Sequence, residues 1–468
     1  MPLGLGIDLG TTNTKVVLAE LGRAAPRVRA AASAPTPEPG DLRATLHALL
    51  GRVLDGSAPP DAVGIASMAE TGVPLGDDGA PLTGWLRWTD RRAAGEADAL
   101  ARRLGRDQLV AATGVRPSAK APLAKWSWLR AQGVAMTRWA GAADLAGLLL
   151  TGRLATDHTL AGRTMAYRLP GPGEPLPAGF DAGLLAEAGL CPAQLPAVMA
   201  PGEIAGRVRD RGWGLRAGTP VVIAGHDHPV GAFACGVRRP GEVADSLGTA
   251  EAVMTVVAGA PDPVEVGRAG MSTVITVGGR HRAVVAGSPS AGAAIDWWLT
   301  HENVDATIFD QAGFDQAGFD QAGPEPTGIL VLPYPAGRQA PDPDPGARLR
   351  VIGRRPEHTP AELARALLEG LCLHTRWMLA EQVRLSGTAP AVVHLLGGPI
   401  AANALWTRIR AAVLPAPIRV IAEPEAVAVG AAMRACGVET PLPGRPETPA
   451  EADYDAMFEQ FVAAARKE

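Results

Sequence analysis

The sequence predicts a two-domain α/β protein in which one structural plan is used twice. Three observations carry this. A chain of 468 residues exceeds what a single core usually supports, so two domains are the default. Short runs of buried-strand character (63–67, 221–225, 392–396 and 418–421) alternate with segments of helical periodicity. A hairpin with small and hydroxyl-bearing residues at its tip occurs near the N-terminus, at 6–15, and again at 242–257.

Composition excludes several function classes. The 44 basic and 48 acidic residues leave a net charge of −4, with no long run of either sign. Neither a nucleic-acid footprint nor a polybasic membrane patch is expected. No apolar stretch could span a bilayer, and the N-terminus enters a strand without a charged lead, so no signal peptide and a cytoplasmic location are expected. Cys191, Cys235, Cys372 and Cys436 lie far apart, without metal-ligand or redox spacing, and are expected to be buried thiols in a reducing compartment.

The opening hairpin reads Gly-Ile-Asp-Leu-Gly-Thr-Thr-Asn-Thr-Lys over 6–15. Its tip, Gly10, Thr11, Thr12 and Asn13, offers backbone N–H groups and hydroxyls that suit phosphate oxygens. Asp8 precedes the turn, where a carboxylate could hold the metal of a nucleotide, and Lys15 adds a positive charge. A third strand is predicted around 28–34 and a helix over 41–53. The strand at 63–67 runs into Met-Ala-Glu-Thr-Gly, so Glu70 and Thr71 lie at a strand end, where open α/β sheets bind ligands. An ordinary buried hairpin loop is the competing reading. The segment 85–92, Trp-Leu-Arg-Trp-Thr-Asp-Arg-Arg, sets Trp88 beside Asp90 and Arg91, a mixture of aromatic faces and charges that suits a polyhydroxylated ligand. A helix N-cap at Thr89 or Asp90 explains part of it equally well.

Residues 91–150 read as helical with breaks at Gly105, Gly114 and Pro122, and the Trp pair in Lys125-Trp-Ser-Trp-Leu129 reads as packing. The stretch 151–220 is loop-rich and carries no chemistry legible from sequence. The strand at 221–225 delivers His226, Asp227 and His228 to its end, with Pro229 at the start of a helix. A carboxylate there can take a proton from a hydroxyl. A metal site is disfavoured, because adjacent residues in a turn rarely converge. In the second half, Ser-Leu-Gly-Thr-Ala at 246–250 forms the second small-hydroxyl turn, with Gly248 and Thr249 at its tip, and a helix opens near 291–297. Phe-Asp-Gln-Ala-Gly is repeated in tandem up to Gly323, too short a unit for a solenoid and read as a tolerant peripheral insertion. A buried strand is expected over 328–337 and a long amphipathic helix over 360–384. A strand, the turn 397–403, a helix, the strand 418–421 and a helix reaching Cys436 complete the second half.

These motifs in this order resemble the FGGY family of carbohydrate kinases, over about residues 3 to 436. The resemblance implies an actin-like ATPase fold, a ribonuclease H-like duplication with a cleft between domains. The implied division is an N-terminal domain over 1–239, a C-terminal domain over 240–437 and a tail over 438–468. It further implies that 6–15 and 246–250 are the two phosphate motifs, that 397–403 (Gly397, Gly398, Asn403) is the adenosine motif, and that Gly292 and Asp296 contact nucleotide. Asp227 falls where the family carries its catalytic base, and 125–129 resembles a family signature. By similarity to the glycerol kinase branch, Glu70 holds a substrate hydroxyl. Glu70, Thr71, Trp88, Asp90, Arg91 and His228 make up the sugar side.

The implied activity is ATP-dependent phosphorylation of a sugar hydroxyl with Mg²⁺, held by Asp8. The partner is a small-molecule sugar, with a homodimer as the candidate assembly. Its branch is read as a ketose kinase for a pentulose or 6-deoxyhexulose, because His-Asp at 226–227 resembles the fuculose and rhamnulose kinases. Kinases of glycerol, erythritol or gluconate, and a sugar-binding regulator without catalysis, are the alternatives. Departures from the family pattern are Ala69, Ala250, Arg338 and Pro399.

Overall fold

The computed structural model describes residues 1–209, 211–311, 325–398, 403–448 and 452–467. Two mixed sheets dominate it. The first runs in the order Arg27–Pro35, Asn13–Glu20, Leu3–Leu9, Ala62–Ser67, Pro220–His226, Gly206–Arg207. Its first three strands form an antiparallel meander, while Leu3–Leu9, Ala62–Ser67 and Pro220–His226 are mutually parallel. The second sheet follows the same scheme. Strands Ser272–Ile275, Arg282–Ser288, Glu251–Val256 and Glu242–Leu247 pair antiparallel, and Glu242–Leu247, Val392–Leu396 and Ile418–Ile421 run parallel. This is the duplicated architecture expected from the sequence.

The parallel strands are fully or nearly fully buried because helices cover both faces. Helix Leu42–Leu54 lays Leu42, Leu46, Leu49, Leu50 and Val53 on one face of the first sheet. Helix Ala426–Cys436 belongs to the second half in sequence, yet it packs on the other face of the first sheet. Gly6 and Gly64 make room for it. A Cβ on Gly6 would fall 1.7 Å from the Ala428 carbonyl oxygen, and one on Gly64 would fall 1.8 Å from that of Ala431. These two glycines are therefore fixed by the seam between the halves.

Helix Pro360–Ser386 forms the spine of the second half, started by a capping box between Thr359 and Glu362 and ended by left-handed Gly387. Beyond Gly437, strand Gly444–Pro446 extends the second sheet, and helix Asp455–Ala465 sinks Met457 and Phe461 into its core.

Several local expectations change. A strand, Arg138–Gly141, interrupts the helices of 91–150, paired with Gly72–Leu75 by tertiary contact rather than by local propensity. The strand expected over 328–337 is only Leu330–Leu332, because the Pro/Gly-rich remainder turns away. The helix after 221–225 starts at Asp227, with His226 as its N-cap. Cys191 is exposed, whereas Cys235 and Cys372 are buried. Most of the tandem repeat, and residues 399–402 of the adenosine-type turn, lie outside the described residues. Among the described residues, no helix is long and apolar enough to cross a membrane.

Candidate active site

Three neighbouring parallel strands present their carboxyl ends together. Leu9 is in register with Ser67, and Ser67 with His226. Asp8, the Met68–Thr71 segment and Asp227 consequently emerge side by side from residues more than 200 positions apart in sequence.

The carboxylates of Asp8 and Asp227 have opposite environments. Burial, then the nearby Asp227 charge, raises the Asp8 carboxyl to about 8, with Glu425 adding and Lys15 opposing. Its Oδ1 is buried without a hydrogen-bond donor. Burial pushes Asp227 the same way, but His228 and His226 outweigh it and hold the group down to about 2. His226 Nε2 is 3.1 Å from Asp227 Oδ1, and the His228 backbone N–H donates to that oxygen at 2.7 Å. The two shifts run in opposite directions, favouring the ionised form of Asp227 and the protonated form of Asp8. An orphaned carboxylate oxygen facing two further carboxylates suits a hard divalent ion with oxygen ligands, so Asp8 fits the metal that accompanies ATP. Contrary to expectation, His226, Asp227 and His228 do converge, with ligand atoms within 4.8 Å of one another. The His226–Asp227 separation is that of a hydrogen bond, and the cluster fixes the Asp227 carboxylate.

Among the residues expected to face the sugar, Glu70 is a non-glycine residue in the left-handed region, at φ 63°. Its carboxylate takes two bonds from Arg163, at 2.6 and 3.1 Å. Burial pushes this carboxyl up, but Arg163, Lys120 and His226 together hold it below its usual range. The backbone beneath is held by Lys125, whose ammonium donates to the carbonyls of Glu70 (2.5 Å), Arg87 (2.9 Å) and Leu86 (3.2 Å). One buried side chain thus ties together both segments singled out for the sugar. Thr71 Oγ1 accepts the Trp88 backbone N–H at 3.0 Å, and Trp88 Nε1 donates to Thr11 Oγ1 at 2.8 Å. The aromatic wall is therefore hydrogen-bonded to the first phosphate-type turn. Asp90 turns its carboxylate to the Arg92 guanidinium, with Nε at 2.7 Å, and Arg91 is exposed. Arg163 could not be found from sequence, being a lone Arg in an unpatterned stretch. Lys125 was visible as part of a motif, but its partners were not.

Among the residues expected to bind nucleotide, Thr11, Thr12 and Asn13 are exposed, with the Gly10 N–H donating to the Asn13 carbonyl at 3.0 Å. Thr36 braces the tip by donating its hydroxyl to the Gly10 carbonyl at 2.7 Å. In the second hairpin Thr249 is exposed, and the N–H groups of Gly292 and Ala293 donate to the Gly248 and Thr249 carbonyls, each at 3.0 Å. Helix Gly292–Glu302, with Asp296 exposed upon it, is thereby seated on that tip. Gly397, at φ 118°, approaches so closely that a Cβ would lie 1.9 Å from the Leu247 carbonyl oxygen. Gly398 is exposed, and Asn403 caps helix Ala404–Val413 by accepting the Trp406 N–H at 2.9 Å. From that helix Arg410 reaches both arms of the second hairpin, pairing with Asp245 and, at 2.8 Å, with Glu251.

Two sheets built on one plan, each containing a hairpin with a Gly-Thr tip, make an actin-like fold. Residues 3–234 match the N-terminal domain of the FGGY family of carbohydrate kinases, and residues 243–437 its C-terminal domain. The chain is similar to a xylulose kinase of Streptomyces coelicolor, 29% identical over 94% of this chain and 88% of that protein. It is also similar to a gluconokinase of Bacillus subtilis, 24% identical over 78% and 74%. Among solved structures, a xylulose kinase from Rhodospirillum rubrum superposes with a TM-score of 0.83 at 26% identity, covering 99% of this chain and 98% of that one. The chain belongs to the FGGY family of carbohydrate kinases. It is an ATP-dependent phosphotransferase whose acceptor is a sugar.

Proposed function

We propose that this kinase phosphorylates a hydroxyl of a ketose, a pentulose or 6-deoxyhexulose, with Asp227 as general base. The observation that carries this is Asp227 itself: an ionised strand-end carboxylate, hydrogen-bonded by His226, in the same strand-end row as Glu70. The His-Asp pair and the xylulose kinase relatives favour a ketose.

In this reading residues 1–239 supply the sugar side and the first phosphate turn, and residues 240–437 the second turn and the adenosine side. Glu70, Thr71, Trp88, Asp90, Arg91 and His228 face the sugar, with Glu70 accepting from a hydroxyl and Trp88 packing on the carbon skeleton. Asp227 receives the proton of the attacking hydroxyl. General-base help of this kind is typically worth ~10²–10⁴ in rate. The turns at Gly10–Asn13 and Gly248–Thr249 grip the β- and γ-phosphates through N–H and hydroxyl donors, while Gly292, Asp296, Gly397, Gly398 and Asn403 line the nucleoside. Asp8 would hold Mg²⁺, which when bound neutralises charge on the phosphate oxygens. The protein's own share is positioning and exclusion of water between the domains.

A second reading has its own observation. Arg163, Lys120 and His226 act on the Glu70 carboxylate, and burial with the neighbouring Arg163, Arg116 and Arg91 lowers the pKa of Lys120 in turn. An excess of cations over one carboxylate favours a sugar acid. Measuring kcat/KM for xylulose, ribulose, fuculose, rhamnulose, erythritol, glycerol and gluconate tests both. One ketose is expected to dominate, and a clear preference for gluconate or glycerol overturns the ketose reading.

A further inference from the structure

The stretch 151–220, silent in sequence, holds a buried polar chain that runs from the base segment to the other domain. Asp157 caps the short helix His158–Ala161, its Oδ1 accepting the Thr159 N–H at 2.7 Å and the Thr159 hydroxyl at 2.6 Å. The Thr159 oxygen in turn accepts the His226 backbone N–H at 2.9 Å. The residue before it, Gly225, has φ 125°, and a Cβ there would lie 2.4 Å from Thr159 Oγ1 and 2.8 Å from Asp157 Oδ1. The base segment therefore rests directly on this carboxylate and hydroxyl.

The other end crosses the seam. His158 Nδ1 is 3.1 Å from Asp157 Oδ2, and its Nε2 is 3.0 Å from the carbonyl oxygen of Thr276. Thr276 follows the edge strand Ser272–Ile275 of the second sheet, which docks on the first half here. Thr273 N–H donates to the Gly114 carbonyl at 3.2 Å, and Arg282 to that of Pro170 at 2.5 Å. Both His158 partners are acceptors only: an amide carbonyl, and a carboxylate already taking two donors on its other oxygen. A neutral imidazole has one N–H and can satisfy one of them; an imidazolium satisfies both.

We propose that His158 is held as an imidazolium that fastens the Asp157–Thr159 support of the base segment to the Thr276 carbonyl of the second domain, making Asp157, His158 and Thr159 positioning residues for Asp227. The positioning half rests on Asp227 being the base. Burial pulls the His158 pKa down, but Asp157 outweighs it and the net shift is upward from 6.5. Arg434, from helix Ala426–Cys436, opposes protonation of His158, while Asp144 and Tyr167 face Asp157 on its other sides. Because the folded pKa is raised, the fastening is complete below 6.5 and is lost as pH rises through the folded value.

The test combines one measurement on the wild-type kinase with two variants. Nitrogen-15 NMR of the histidines in the full chain at pH 7, with His158 assigned through its own backbone-to-ring correlations, should show both its ring nitrogens protonated. His158→Phe, which removes both donors, and Thr159→Val, which cuts the relay to His226, should each lower kcat by about tenfold to a hundredfold, as expected for a slightly misplaced base. KM for sugar and ATP should stay within a few-fold, and the alkaline fall in kcat assigned to His158 should vanish in His158→Phe. A neutral His158 at pH 7 overturns the proposal, as do folded variants that keep wild-type kcat and pH profile. If the variants fail to fold, the NMR result decides. Should Asp227→Asn keep its turnover, the base assignment falls, whereas the protonation state of His158 is judged without it.

Discussion

Lys15 Nζ lies 2.9 Å from Glu425 Oε2, across the boundary between the two domains. Both side chains are partly exposed, so the pair is worth only ~0.2–1 kcal/mol of stability. The pair also sets the charge around Asp8, because Lys15 lowers and Glu425 raises the pKa of Asp8. Lys15→Met should therefore lower stability by less than about 1 kcal/mol while depressing kinase activity at neutral pH, since Asp8 then holds its proton more tightly. Thermal melts beside rate measurements separate the two; a melt shift of many degrees with normal turnover would reverse this account.

Asp227→Asn should reduce turnover by ~10²-fold or more with sugar and ATP binding within a few-fold. The amide keeps the shape but cannot take the proton. Calorimetric binding alongside steady-state rates checks it, and wild-type turnover in the variant removes the base assignment.

Thr11→Val, Thr12→Val and Thr249→Val should each raise KM for ATP, because their hydroxyls stand at exposed Gly-Thr tips. Thr11→Val should also disturb the sugar, since Thr11 Oγ1 accepts from Trp88. Unchanged KM for ATP in all three would place the phosphates elsewhere.

Burial pulls the Lys125 pKa from 10.5 down to about 8. Because this folded pKa is depressed, the cost of burying the charge is present below about 8 and is relieved as pH rises toward 10.5, so this group makes the fold more stable with pH. Its grip on the site changes in the opposite sense: the neutral amine has two N–H donors for three carbonyls. KM for sugar should rise above pH 8, and Lys125→Met should show a raised KM at every pH, with KM for ATP little changed. A pH-independent sugar KM in the wild type would refute this.

Gly64→Ala should destabilise by ~1–3 kcal/mol or more, as overpacking does, because the new methyl meets the Ala431 backbone. Gly51→Ala, in the exposed face of helix Leu42–Leu54 with open space around it, should instead stabilise by ~0.5–1 kcal/mol. Chemical denaturation of both variants provides the comparison, and equal stabilities would mean that the domain seam yields at Gly64.

Much of the site was legible before any coordinates. Hairpin tips, strand ends and N-caps announce themselves locally, since backbone geometry demands particular residue types within a few positions. That is why Asp8, the Gly-Thr turns and Asp227 could be marked from sequence, whereas Asn403 was marked through the family resemblance. Arg163 and the Asp157–Thr159 support escaped, because an arginine or a capping carboxylate in an irregular stretch has no periodicity to betray its partner. The convergence of His226, Asp227 and His228 was misjudged: the helix begins at Asp227, so the turn expected to splay them is tight.

By itself the sequence determined the class of fold, the two phosphate-type hairpins and the carboxylates at the strand ends, because each is encoded in a contiguous run whose pattern dictates its backbone. The tertiary structure alone decided the electrical state of those groups and the company they keep. Burial and a neighbouring carboxylate raise the Asp8 pKa while two histidines lower that of Asp227, Lys15 answers to Glu425, and Lys125 braces two loops. Such properties depend on burial and on charges brought together from distant parts of the chain, and those distances do not exist until the sheets are assembled.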